Sequence, residues 1–178
     1  MERLLLTGDL IRLRPLEPSD AELMWRWNHD PEVGRWMFNS YPESLAQITR
    51  RFEELPRNSY TSAFFGVEPL NERQLIGSVR LRDAEPETGA AELDLRIGDK
   101  EYWGRGYATD TVRVICQYGF AEMRLHRIRL SVVAENAAAI RVYEKVGFVV
   151  EGREREAFRR DGTWHDMVLM GLLDGELR

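Results

Sequence analysis

The sequence predicts an α/β domain, with about seven strands and about four helices built on one sheet. Three observations lead to it. Segments that alternate apolar and polar residues interleave with segments whose apolar residues recur every three or four positions, the periods of strand and helix. Proline, glycine, asparagine and aspartate cluster between these segments, as turns require. Hydrophobic residues make up 43% of the 178 and charged residues 31%, an ordinary balance for a chain with one sizeable core.

Leu10–Leu16 (LIRLRPL) alternates and reads as the first strand. Ser19 followed by Glu22 has the spacing of a capping box and predicts a helix running to about Asn28. His29-Asp30-Pro31 ends it, because the residue before a proline avoids the helical region. A second helix is expected over about Glu43–Leu55, with Leu45, Ile48, Phe52 and Leu55 on one face and Pro56 after it. Strands follow at Tyr60–Glu68, Gln74–Arg82 and Ala90–Gly98, separated by the turn-rich stretches EPLNER and DAEPETG. A longer helix should cover about Arg105–Met123, with Ala108, Val112, Ile115, Cys116, Gly119 and Phe120 on one side. Arg127–Val133 (RIRLSVV) alternates again. Asn136 looks like the N-cap of a helix reaching about Val146, with Gly147 as its stop. Phe148–Phe158 and Thr163–Leu173 flank RRDG and read as a hairpin.

Composition narrows the function classes. A net charge of −5 argues against broad nucleic-acid binding. The basic residues are lopsided, with Lys100 and Lys145 the lysines among 25, and this identifies no function. No apolar run approaches the roughly 20 residues that span a bilayer. The opening MERLLLTGDLIRLRP lacks the apolar stretch of a secretory signal, so a cytoplasmic location without membrane contact is expected. Cys116 is a single cysteine, which rules out an internal disulfide, and its apolar helical setting suits a buried thiol. His29, His126 and His165 are scattered without ligand spacing, so no metal is expected.

Two constellations carry chemistry. At residues 102–110, YWGRGYATD, a strand leads through a loop and two glycines into a helix. Free N–H groups and the positive dipole end make a helix start an anion site. Glycine lets a phosphate approach the backbone and permits positive φ, and Arg105 adds a charge. The plainer reading is a glycine turn that starts a helix. The stretch is neither G-x-x-x-x-G-K-[ST] nor G-x-G-x-x-G, so nucleotide hydrolysis and dinucleotide binding lose support. The second constellation is Asn136 and Tyr143, seven residues and nearly two turns apart, which sets a polar cap and a phenol on one helix face. A capping asparagine and a packed tyrosine would give the same pattern.

Taken in order, these segments closely resemble the GNAT N-acetyltransferase superfamily: strand, glycine loop, helix, strand, then N-x-x-A-x-x-x-Y-E-K-x-G-F over residues 136–148. The opening TGDLIRLRPLEPSDAELMWRW and the end EGREREAFRRDGTWHDMVLMGLL are similar to the RimJ/RimL-like branch. That branch holds ribosomal-protein N-terminal and spermidine acetyltransferases. The resemblance covers essentially the whole chain and implies one GNAT domain over residues 1–178. Its sheet would be mixed and twisted, with a cofactor wedge between two splayed central strands.

The resemblance also implies acetyl-CoA as donor. The family's pyrophosphate loop falls on Trp103-Gly104-Arg105-Gly106-Tyr107-Ala108, and contacts are expected from the backbone of Gly104 to Thr109. Trp103 stands where relatives have Gln or Arg. Leu95, Arg96 and Ile97 match the strand whose backbone pairs with the pantetheine arm. Asn136 matches a position that contacts the cofactor or a water. Ala139 sits where many relatives have Ser, and Tyr143 matches the usual general acid. An amine must shed a proton before it attacks a thioester, so a proton route is needed. Glu92 and Asp94, two apart on the candidate strand, point the same way, and Glu92 is the preferred base candidate. A solvated strand face is the plain alternative.

The acceptor is less legible. Trp25, Trp27, Trp36 and Phe38 come from the first helical region, and Trp164, His165 and Asp166 from the last hairpin. Aromatic faces with Glu32 or Asp166 could hold an ammonium, although core packing explains any single tryptophan as well. Peptide or protein N-termini, polyamines and small amines stay open, as does a homodimer. A non-catalytic acyl-CoA sensor with the same fold is the competing class.

Overall fold

A computed structural model describes residues 6–38 and 41–178. Its centre is a seven-stranded mixed sheet in the order β1-β2-β3-β4-β5-β7-β6. The strands are β1 (Ile11–Pro15), β2 (Ser62–Pro69), β3 (Gly77–Glu85), β4 (Ala90–Ile97), β5 (Arg127–Val133), β6 (Val149–Arg160) and β7 (Thr163–Leu173). The helices are α1 (Ala21–His29), α2 (Leu45–Glu53), α3 (Tyr107–Ala121) and α4 (Ala137–Val146). Neighbouring strands run antiparallel except β4 and β5. That parallel pair needs a crossover, and α3 supplies it.

Alternation along each strand divides the apolar residues between two layers. Ala63, Phe65, Val67, Val79, Leu81, Ala91 and Leu93 join the main core with Val112, Ile115 and Cys116 of α3 and Tyr143 and Val146 of α4. Phe64 and Leu75 instead meet Met24 and Trp27 of α1 and Ile48 and Phe52 of α2. The sheet is thus covered on both faces, as its near-continuous apolar strands require. Asp161 and Gly162 take positive φ between β6 and β7, the tight turn that RRDG predicts.

Most element bounds lie within two or three residues of the sequence expectation, and β5 and β7 coincide with it. The entry to α1 is a correction. Ser19 does not cap it. A 3₁₀ turn at Pro18–Asp20 precedes the helix, and the backbone N–H of Glu17 donates to Asp20 at 2.8 Å. Asp20 wins because Arg14 also pairs with it, at 2.8 Å, and only tertiary folding brings that guanidinium there. Ser44 with Gln47 forms the capping box of α2. Among the described residues no helix is long and apolar enough to cross a membrane.

Candidate active site

The site starts where the sheet divides. Strands β4 and β5 pair over three positions, Ala90↔Arg127, Ala91↔Ile128 and Glu92↔Arg129, and then part. β3 follows β4 to Gly77↔Ile97, and β7 follows β5 to Val133↔Met167. The facing edges of Leu93–Ile97 and Leu130–Val133 therefore have no strand partner in each other. Backbone groups in that wedge can pair with an extended ligand.

Beyond β4 the chain turns into α3. Gly104 and Gly106 take φ of +71° and +89°, the left-handed region open to glycine, and Gly106 is the N-cap. A Cβ at Gly104 would meet nothing within 4 Å, so conformation rather than crowding selects glycine there, and space remains above the loop. The N–H groups of Tyr107, Ala108 and Thr109 have no acceptor among the described residues; the helix ladder begins with the Asp110 N–H to Gly106 O. Arg105 donates to Glu101 O at 3.1 Å and lies over the rings of Tyr102 and Tyr107. Trp103 donates its indole N–H to the carbonyl of Ile97 at 2.7 Å, tying the loop to the end of β4.

Two features here escaped the sequence reading. Asp110, in the first turn of α3, is buried, and its carboxylate accepts the backbone N–H groups of Leu10 (2.8 Å), Ile11 (3.1 Å) and Asp9 (3.3 Å). It fixes the helix start against the head of β1. A carboxylate within a first turn was the available signal, but it reads equally as dipole compensation. Arg82 of β3 is the second. It binds Glu92 at 2.6 Å, Asp94 at 2.6 Å and Asp83 at 2.5 Å. The cross-strand register Arg82↔Glu92 brings them together, and register is not visible in a single sequence.

Glu92 and Asp94 do share a face of β4, but both are drawn to Arg82. On Glu92 the guanidinium engages Oε1. Asn136 caps α4, its Oδ1 accepting the Ala139 N–H at 3.3 Å. Tyr143 is 7% exposed and packs edge-on to Phe148, with ring centres 5.7 Å apart. No group hydrogen-bonds its phenol among the described residues. Burial, then the charge of Asp94 and the neighbouring Cys116, push that phenol well above its ordinary range. Cys116 is itself buried, and burial raises its thiol, which makes it a poor nucleophile.

The acceptor-side aromatics separate. Trp27 is buried in the α1–α2 layer, and Trp25 donates its indole N–H to Glu43 O. Trp36 meets His165 edge-on beside Phe158. Phe38 and Trp164 are exposed. The two carboxylates considered for an ammonium have partners of their own. Glu32 pairs with Lys100 at 3.0 Å, and Asp166 pairs with Arg153 at 2.6 Å and accepts the Glu156 N–H. Arg96 points to the same sheet face as Glu92 and Asp94. It donates to Asn28 of α1 and lines a cavity of about 200 Å³.

Residues 11–149 match the family model of the acetyltransferase (GNAT) domain. The chain is 32% identical to the probable N-acetyltransferase YjcK of Bacillus subtilis, over 96% of this chain and 97% of that one. It is 29% identical to a spermidine N(1)-acetyltransferase of Escherichia coli, over 90% and 84%. Among solved structures, spermidine N-acetyltransferase from Vibrio cholerae in complex with CoA and spermine superposes with a TM-score of 0.81 at 28% identity. That alignment covers 93% of this chain and 96% of the other.

Proposed function

The chain belongs to the GNAT acetyltransferase family, and from that we propose direct transfer of an acetyl group from acetyl-CoA to a primary amine, with Tyr143 as general acid. The observation that carries the reading is the wedge beyond Glu92↔Arg129, continuous with the free N–H groups that begin α3. We take residues 1–178 as one domain, since the sheet draws on Ile11 through Leu173.

Acetyl-CoA supplies the acetyl group as a thioester. Its diphosphate suits the loop at Gly104–Thr109, where unpartnered N–H groups, a positive dipole end and open space above Gly104 coincide. The edge at Leu95, Arg96 and Ile97, which β5 leaves without a strand partner, offers backbone groups to the amide-bearing arm, the Ile97 carbonyl also accepting the Trp103 indole N–H. Asn136 keeps its Nδ2 for the cofactor or a water. A free α-amine titrates near 7.7–8.0 and an alkylamine near 10.4, so the acceptor arrives largely protonated. Glu92 is our candidate base, directly or through water, with Arg82 holding one of its oxygens and orienting the other. Tyr143 meets the needs of a general acid. Its burial keeps the proton on the oxygen, and its hydroxyl has no competing protein partner among the described residues.

Spermidine, in the name of the Escherichia coli relative, puts polyamines among the acceptors to test. Peptide N-termini and small amines complete the panel. The deciding experiment follows thiol release from acetyl-CoA, with mass spectrometry of the product, for wild type and Tyr143→Phe. Amine-dependent thiol release with an acetylated product is expected. Tight acetyl-CoA binding without transfer to any amine would overturn the enzyme reading in favour of an acyl-CoA sensor.

A further inference from the structure

Arg96 stands apart from the ion-paired arginines of the sheet. Arg12 and Arg14 share Glu68, Arg82 holds Glu92 and Asp94, Arg127 pairs with Glu151 and Arg153 with Asp166. No carboxylate among the described residues pairs with Arg96. A guanidinium has five N–H donors. One is given to Asn28 Oδ1, and the Nε–H is buried without an acceptor. Burial first, and then the nearby Arg51 charge, pull its pKa down to about 10, so it remains cationic at neutral pH. Buried charges are normally paired, because desolvation of a lone ion is costly.

The surroundings show what kind of partner fits. The cavity of about 200 Å³ beside Arg96 is also lined by Asn28, Met37, Phe38, Glu43 and Arg51. Its acid, Glu43, is neutralised by Arg51 at 2.9 Å. Glu43 and Arg51 also line a larger cavity of about 820 Å³, where Arg50, Arg57 and Arg80 stand against Glu54. The region these two cavities occupy, between β4 and the α1–α2 layer, is lined by more arginine than acid. A polyamine would enter it against repulsion, while an anionic group would be drawn in.

We propose that Arg96 binds a carboxylate of the acceptor, so that the acetylated amine belongs to a molecule carrying an acidic group close to that amine. The inference rests on the acetyl-transfer reading above and narrows its acceptor. The planar guanidinium matches a carboxylate in a two-point contact, which would fill the empty donors and supply the missing counter-charge. The acidic group has two possible sources: the α-carboxylate of a free amino acid, or an Asp or Glu side chain near a peptide N-terminus.

The test uses matched acceptors. Free amino acids are compared with their amides, peptides starting Ser-Asp with peptides starting Ser-Asn, and spermidine is the cationic control. For wild type, kcat/KM for the carboxylate member of the responding pair should exceed that of its neutral partner by about 10- to 100-fold, the worth of a hydrogen bond to a charged group. The pair that responds identifies the source. Arg96→Gln should bring that ratio to about one, and Arg96→Lys should keep part of it. Equal use of amide and acid, preference for spermidine, or a ratio unchanged in Arg96→Gln would overturn the proposal. Calorimetric titration of the same acceptors into the CoA-bound protein separates the two readings. Carboxylate-dependent binding lost in Arg96→Gln, with no transfer to any amine, supports the Arg96 site and counts against the enzyme. Transfer without carboxylate-dependent binding does the reverse. The wild-type comparison needs no variant to fold.

Discussion

Tyr143 shows how one residue can be read twice. By burial alone it is a core aromatic against Phe148. Its hydroxyl, without a partner among the described residues and raised by burial and by the Asp94 charge, is the proton donor we propose. Tyr143→Phe keeps the packing and removes the donor. Turnover should fall by about 10²–10⁴-fold, with acetyl-CoA affinity close to wild type, if thiolate departure limits the rate. Steady-state kinetics with a CoA-binding titration checks this. A phenol raised above its ordinary value near 10 keeps its proton below that pH. The wild-type kcat should therefore show no decline between about pH 8 and 10 from loss of this proton, which a pH–rate profile of kcat measures. Gly106 is read from its backbone. At φ +89° a β-branched side chain is strained, so Gly106→Val should weaken acetyl-CoA binding far more than it lowers the thermal midpoint. Isothermal titration beside thermal unfolding separates the two effects.

At the scale of elements, α3 does the positioning. Asp110 fastens its first turn to the backbone of residues 9–11. Gly8 accepts this closeness, since a Cβ there would come within 2.4 Å of the Asp110 carboxylate. Asp110→Asn turns one acceptor oxygen into a donor facing N–H groups. It should cost about 2–3 kcal/mol, lowering the midpoint by on the order of 5–10 °C. Acetyl-CoA affinity should fall with it, because the loop loses its anchor. Urea unfolding and CoA titration provide the measurements. The helix itself was legible from the spacing of Val112, Ile115 and Cys116, and the glycine loop from its place before the helix. The Asp110 anchor was not, because its donors lie about a hundred residues away in sequence.

Across the molecule, the two cores are joined by an ion network. Glu68 of β2 binds Arg12 at 2.9 Å and Arg14 at 2.6 Å on β1, and Arg14 continues to Asp20 before α1. Burial pushes the Glu68 carboxyl up, but the Arg14 and Arg12 guanidiniums outweigh it and hold the group below its ordinary value. The sign follows from linkage. A carboxyl lowered on folding contributes stability that is complete above about pH 4.3, its ordinary value, and is lost as the pH falls through the lowered one. Acid unfolding should therefore soften below about pH 4.3. Glu68→Gln should remove that part of the slope and cost about 1–2 kcal/mol at neutral pH. Denaturant melts at pH 3, 4, 5 and 7 test both statements.

The sequence by itself determined what depends on near neighbours. The 2.0 and 3.6 periods marked β5, β7 and α3, turn residues marked their ends, and N-x-x-A-x-x-x-Y with the glycine loop marked the family. Those signals lie within a few residues of one another, where backbone sterics and side-chain spacing suffice. Tertiary structure decided what distant residues share. Register set Arg82 between Glu92 and Asp94, and the Arg14–Asp20 pair accompanies Asp20, not Ser19, at the N-cap of α1. Folding brought the head of β1 onto Asp110 and left Arg96 half-buried, its Nε without an acceptor and with no carboxylate partner among the described residues. A charge acquires meaning only when its counter-charges and its burial are known, and both are properties of the assembled fold.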